Sequence, residues 1–276
     1  MASPPDVLSV AGGETVTFAV CAGGDVFAWG TPTYEEAPSA ACGEGAVPRP
    51  VALPVKVTSV AAAWHHVAAV SVGGELWVWG RNKHGQLGVG APPAIVAKPA
   101  RASLPGGAAV SSVAVGRDHT LCVTVGGGVW AAGSNKYGQC GAATPAVLPP
   151  PSRLPSFAPV ACFGAARPAR SVAAGCCHSA VVAADGGVWT FGWGLYSQLG
   201  LGDATDKAAP TLVEGLLDVG GFRPDGTANG VTAVACGAWH TVGALGCSCV
   251  RRCPTSCVNL SSCFRHWRRV HVGLGK

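Results

Sequence analysis

The chain has 276 residues, 49% hydrophobic and only 12% charged, with a formal charge of +5. That balance excludes a disordered polymer, and 40 glycines and 21 prolines beside a single methionine exclude a helical bundle, which would need more lysine, glutamate and leucine. The positive charge is no nucleic-acid footprint: Arg251, Arg252, Arg265, Arg268, Arg269 and Lys276 crowd into a terminal stretch without acids, leaving residues 1–246 slightly acidic. Met1-Ala2-Ser3-Pro4-Pro5-Asp6 has neither the basic nor the apolar region of a secretory signal, and no apolar stretch is long enough to span a bilayer. The expectation is a soluble protein with no membrane contact, cytoplasmic or nuclear, its cysteines mostly reduced.

In chain order, one pattern returns. Val10, Val60, Val113, Val172 and Val234 each open a unit, at spacings of 50, 53, 59 and 62 residues. Three positions on stands a small residue (Gly13, Ala63, Gly116, Gly175, Gly237), and six positions on stands His66, His119, His178 or His240, with Val16 in the first unit. Gly24, Gly74, Gly127 and Gly186, each beside another glycine, mark a hairpin turn that needs positive φ. After the turn the sequence alternates with period two, as Val26-Phe27-Ala28-Trp29-Gly30, Leu76-Trp77-Val78-Trp79-Gly80, Val129-Trp130-Ala131-Ala132-Gly133 and Val188-Trp189-Thr190-Phe191-Gly192. Residues two apart on a strand share a face, so Trp79, Trp189 and Phe191 are expected to be buried against the next sheet.

A loop follows in three units: Asn82-Lys83-His84-Gly85-Gln86-Leu87-Gly88, Asn135-Lys136-Tyr137-Gly138-Gln139-Cys140-Gly141 and Gly194-Leu195-Tyr196-Ser197-Gln198-Leu199-Gly200. A proline-flanked extended segment closes each unit, making about four short strands per repeat. The units run over about 7–56, 57–109, 110–169 and 170–230, with a partial fifth at 231–246. Residues 247–276 are a divergent Cys- and Arg-rich tail, expected to be disordered.

The order small-x-x-His, Gly-Gly, Val-Trp-x-x-Gly, Asn-x-x-Gly-Gln-Leu-Gly resembles the regulator of chromosome condensation repeat family over residues 7 to about 246. The resemblance implies an all-β fold of β-propeller-type blades, four plus an incomplete fifth, in an open or partial ring, since the family's usual ring has seven. It also makes Gly80, Gly133, Gly192, His66, His119, His178, His240, Trp79 and Trp189 repeat-structural residues. Light-sensing members of the family cluster tryptophans in Gly-Trp-Arg-His-Thr motifs. Here the equivalent positions read Ala63-Trp64-His65-His66, Gly116-Arg117-Asp118-His119, Gly175-Cys176-Cys177-His178 and Gly237-Ala238-Trp239-His240, which argues against light sensing.

Sharper chemistry finds little purchase. One histidine per radial blade cannot converge on a metal, and a repeated hydrogen bond that pins each blade explains the four better. Cys177 and His178 are strand neighbours that point to opposite faces, so they make no nucleophile and base. The tail cysteines lack paired Cys-x-x-Cys knuckles. The expectation is therefore no enzyme, no catalytic residue, no cofactor and no metal, but a protein-interaction module whose irregular segments 144–169 and 216–230 contact a partner. The family resemblance adds guanine-nucleotide exchange on a small GTPase as an alternative, the basic tail adds chromatin or nucleic-acid binding, and the open ends of the ring add self-association.

Overall fold

The structure, a computed structural model, describes residues 6–31, 47–90, 94–142, 151–216 and 231–245, together with the backbone of 270–272. Its strands form five antiparallel sheets in chain order. The first blade is β1 (Val7–Gly12), β2 (Val16–Cys21), β3 (Val26–Gly30) and β4 (Arg49–Pro50), and the second is β5 (Val57–Ala62), β6 (His66–Ser71), β7 (Leu76–Arg81) and β8 (Ile95–Ala102). The third is β9 (Val110–Val115), β10 (His119–Thr124), β11 (Val129–Ser134) and β12 (Arg153–Pro159), and the fourth is β13 (Ala169–Ala174), β14 (His178–Ala183), β15 (Val188–Gly192) and β16 (Lys207–Leu212). The fifth has three strands, β17 (Val231–Cys236), β18 (Thr241–Leu245) and β19 (Val270–Val272).

There is no single core. Apolar layers lie between successive blades, and the second strand of each inner blade feeds two of them at once. On β6, Val67 and Ala69 face back toward the first blade, while Ala68 and Val70 face forward toward the third. This is why β6, β10 and β14 are buried at all six positions and do not alternate between apolar and charged residues. Four layers join the five sheets, and no fifth layer joins the last sheet to the first among the described residues, so the ring is open.

The glycine after each alternating strand has a specific reason to be there. Gly80, Gly133 and Gly192 sit at φ 100°, 109° and 101°, and a Cβ on any of them would run into the carbonyl oxygen of the residue before the repeat histidine, His65, Asp118 or Cys177. Only glycine combines that backbone with that approach.

The large aromatics face the preceding blade, not the next one as the sequence suggests. Trp79 is fully buried in the first layer with its ring 6.0 Å from Phe18 at 72°. Phe191 is equally buried in the third layer. At the matching place in the third blade stands the small Ala132, and Phe157 of β12 supplies the missing volume in that layer. Trp189 departs from the expectation of burial. It lies at the margin of its layer, partly exposed, with Phe163 edge-on at 6.0 Å and the Arg167 guanidinium 4.5 Å from its ring.

A second departure concerns the tail. Residues 270–272 pair with β18, Val270 opposite Gly243 and Val272 opposite Thr241, so this part is a strand rather than disordered chain. The β17–β18 hairpin offers an unpaired row of backbone groups, and Val-His-Val can satisfy them. The rest of 247–276 lies outside the described residues.

Replacing Trp79 with Ala should cost about 3–5 kcal/mol, since a cavity would open in a closed layer. Trp29→Ala, the same repeat position on the free side of the first blade, should cost only about 1 kcal/mol. Urea unfolding of the two variants checks the contrast.

Candidate functional site

From the second blade onward, each described blade is tied to the next by one repeated hydrogen-bond relay. His66 Nε2 lies 2.7 Å from Thr120 Oγ1, and that hydroxyl donates to the Gln86 carbonyl oxygen at 2.7 Å. The next contact repeats it with His119, Ser179 and Gln139, at 3.0 and 2.6 Å. The third uses His178, Thr241 and Gln198, at 3.0 Å for both bonds. In every case the histidine and the glutamine loop come from one blade, and the hydroxyl comes from the residue after the histidine of the following blade.

The relay fixes the tautomer. A hydroxyl has one proton, and here it goes to the glutamine carbonyl, so the histidine must donate from Nε2 and leave Nδ1 bare. Nδ1 of His66, His119 and His178 indeed has no partner. Burial holds His66 and His119 down at a pKa of about 3 and His178 at about 4, keeping all three neutral. The small residue three positions earlier is explained as well: a Cβ on Gly116 or Gly175 would meet the imidazole of its own repeat.

The ends of the arc break the pattern on both sides of the contact. Between the first two blades Val16 replaces the histidine and Val67 replaces the hydroxyl, and both join the apolar layer around Trp79. Losing both partners together leaves neither an unpaired imidazole nor an unpaired hydroxyl, which makes the exchange cheap, and the buried polar atom left without a partner in this layer is Trp79 Nε1. His240 meets no following blade among the described residues, and alone among the four it is exposed.

The turns that carry these histidines ring one end of the axis. There the β1–β2 turn and its counterparts line a cavity of about 440 Å³ that includes Glu14, Trp64, Cys176 and Ala238. Around its mouth Glu14 pairs with His65 at 3.5 Å and Arg117 with Asp118 at 2.9 Å. Cys176 and Cys177 have their sulfurs 3.9 Å apart, and the Cys177 thiol, with help from the Arg117 guanidinium, draws Cys176 down to about 7. Cys177 itself is pushed up. Neither nitrogen of His178 bonds to these thiols: Nε2 is committed to Thr241 and Nδ1 has no partner. Among the described residues no group of three His, Cys, Asp or Glu side chains is arranged to hold a metal.

On the same end, three blades build an aromatic patch. Trp193 lies 5.1 Å from Tyr196 and 5.1 Å from Trp239, and Tyr196 is 6.0 Å from Trp239, all edge to face. Tyr137 extends the patch at 5.7 Å from Trp193, under the Lys136 ammonium. Tyr196 and Trp239 are about half exposed, at 48% and 46%, with Leu195 beside them at 55%. Each glutamine loop is rigid enough to present such residues: Gln139 and Gln198 Oε1 accept from the Tyr137 and Tyr196 backbone N–H at 2.9 Å.

The sequence reading did not find this patch, although Tyr137 and Tyr196 occupy the same position in their loops. Of its segments for partner contact, 144–150 and 217–230 lie outside the described residues, and 153–159 is strand β12. Among the described residues no helix is long and apolar enough to cross a membrane.

Acid should weaken the fold through the relay. The folded pKa values lie below the unfolded value of 6.5, so the unfolded chain takes up protons first as pH falls. Stability is complete above about pH 6.5 and declines below it; at pH 5 the cost is about 2 kcal/mol per histidine and roughly 6 kcal/mol for the three. Urea midpoints between pH 7.5 and 5 check this, and His119→Gln should remove one of the three protons taken up on unfolding.

Family models of the Regulator of chromosome condensation (RCC1) repeat match residues 73–123 and 185–244, and 57–86 and 110–139. The chain is similar to the probable E3 ubiquitin-protein ligase HERC6 of Homo sapiens, 31% identical over 83% of this chain and 21% of that protein. It is also similar to the Ultraviolet-B receptor UVR8 of Arabidopsis thaliana, 30% identical over 87% of this chain and 51% of the receptor. Among solved structures, Prp20p from Saccharomyces cerevisiae, described with its binding properties to Gsp1p and histones, superposes with a TM-score of 0.72 at 24% identity, covering 88% of this chain and 56% of Prp20p. The chain thus spans about half or less of the length of these relatives. With the repeat matched in sequence and its sheets matched in space, the chain belongs to the RCC1 repeat family and forms an open arc of its β-propeller.

Proposed function

We propose that the chain is a non-catalytic, cofactor-independent interaction module of the cytoplasm or nucleus, which binds a protein partner through the face bearing the histidine turns and glutamine loops. The observation that carries this is the patch of Trp193, Tyr196 and Trp239 with Leu195. These are large, partly exposed apolar side chains, gathered from two blades onto loops whose backbones are held by internal hydrogen bonds. Rigid aromatics of this kind lose little entropy on docking and are enriched at the centres of interfaces. A flexible surface would give back much of that gain.

A second reading is nucleotide exchange on a small GTPase, favoured by the likeness to Prp20p, whose structure is described with its binding to Gsp1p. Exchange would need no chemistry from this chain, only an inserted segment that holds the GTPase in its empty state.

Photo-crosslinking separates these readings from an inert scaffold. With benzoylphenylalanine in place of Leu195, a discrete protein adduct is expected in cells, lost when Tyr196 and Trp239 are both changed to Ala. The same probe in place of Val72, exposed in the turn after β6 at the opposite end of the blade, should give none. Equal adducts from both positions would overturn the proposal. Capture of a small GTPase, followed by accelerated nucleotide release, would select the exchange reading.

A further inference from the structure

Two thiols that the relay does not use stand well inside the arc, in the turn between β13 and β14 of the fourth blade. Cys176 and Cys177 place their sulfurs 3.9 Å apart, with the Cys177 thiol donating to Cys176. Backbone bonds hold this turn from two sides: Cys176 N–H donates to the Ala238 carbonyl oxygen at 3.2 Å, and the Cys177 carbonyl oxygen accepts from Trp193 N–H at 2.9 Å. The third blade contributes Arg117. The Cys177 thiol and, after it, the Arg117 guanidinium hold Cys176 at about 7 against the opposing effect of burial. Three other thiols behave differently, because burial pushes Cys122 and Cys140 far above the ordinary value and Cys236 up to about 12.

A nucleophilic sulfur also needs access. Cys176 lines the axial cavity of about 440 Å³, whose wall is otherwise mostly glycine and alanine, and Cys177 sits behind it, outside that lining. Since Cys176 is only 2% exposed, a reagent of a few atoms reaches its sulfur and a bulky one does not. An activated thiol facing a cavity, with a second thiol against it, is the arrangement of a cysteine that is oxidised and then resolved.

We propose that Cys176 is a peroxide-reactive thiol and Cys177 its resolving partner, the pair closing reversibly to a disulfide between adjacent residues. The Cys176 thiolate attacks one oxygen of hydrogen peroxide, the O–O bond breaks, and the departing hydroxide takes a proton from solvent, leaving a sulfenic acid. The Cys177 sulfur then attacks the Cys176 sulfur. The S–O bond breaks, and the Cys177 proton leaves with the hydroxyl as water. The two thiols together lose two electrons, and the peroxide is reduced to two waters. The product ring is tight, because neighbouring α-carbons lie about 3.8 Å apart and relaxed disulfides span about 4.4–6.8 Å. Such a bond is easily reduced, which makes the modification reversible by ordinary thiols.

The test uses the full chain, reduced and then exposed to hydrogen peroxide. Trypsin releases residues 171–207 as one peptide in which Cys176 and Cys177 are the only cysteines, so its mass reports on this pair alone. The expected product is a peptide lighter by two hydrogens, closed to iodoacetamide after denaturation and reopened by dithiothreitol, at a dose that leaves Cys122 and Cys140 free to be alkylated. Cys177→Ser should trap the sulfenic acid on Cys176, where dimedone captures it. Cys176→Ser should leave Cys177 a free thiol, with circular dichroism reporting that each variant is folded. Arg117→Gln should slow the first step about fivefold at pH 7 and move its rate profile to higher pH, since a smaller share of Cys176 is then ionised. A pair oxidised no faster than Cys122 and Cys140 would overturn the proposal and make the two thiols inert packing. So would a folded Cys176→Ser chain whose Cys177 still reacts, or a wild-type peptide that goes on to sulfinic acid without closing the ring.

Discussion

A blade in this fold has two apolar faces and cannot exist alone, so everything else depends on how one blade is fixed against the next. Apolar layers supply most of the favourable energy but little direction, because valine, alanine and leucine slide over one another with small penalties. The relay from histidine to hydroxyl to carbonyl supplies the direction. It is buried and its bonds have defined geometry, so a shift of either blade would strand polar atoms away from water. Several recurring features of the chain follow from it: the small residue under the imidazole, the serine or threonine after His119, His178 and His240, and the glutamine loop whose carbonyl ends the chain of bonds.

The first contact shows what happens when the relay is dispensed with. Val16 and Val67 take its two ends, Trp79 and Phe18 fill the space between, and the loop that would have supplied a carbonyl is missing from the first unit. An imidazole kept opposite Val67, or a threonine kept opposite Val16, would have been worse than either complete arrangement. The two sides of the contact have therefore changed together, although they lie in different repeats 51 residues apart.

The relay also decides where function can lie. It pins the histidine turns and the glutamine loops to the same end of the blades that carry them, and so gathers the variable residues of several repeats onto a shared rim. Arg117 and Asp118, Cys176 and Cys177, and Trp239 occupy equivalent places in successive turns, yet give an ion pair, a thiol pair and an aromatic ring. The frame is repeated and the surface is not. The proposed role fits such a rim, where the radial arrangement spreads these side chains over a surface instead of converging them on a few atoms.

The sequence by itself determined the repeat, the strand content and the glycine turns, because each rests on local chemistry that recurs in phase: period-two alternation and positive φ. It also singled out the histidines as a recurring position. The tertiary structure alone decided which way the faces point. Trp79 looks back and His66 looks forward from neighbouring strands of one sheet, and no single-strand periodicity distinguishes back from forward. It alone paired His66, His119 and His178 each with a hydroxyl more than fifty residues away, brought Trp193, Tyr196 and Trp239 into one patch, and separated the buried Trp79 from the marginal Trp189 at nearly the same place in the repeat. Those relations depend on how far one blade is turned against another, a distance through space for which spacing along the chain carries no measure.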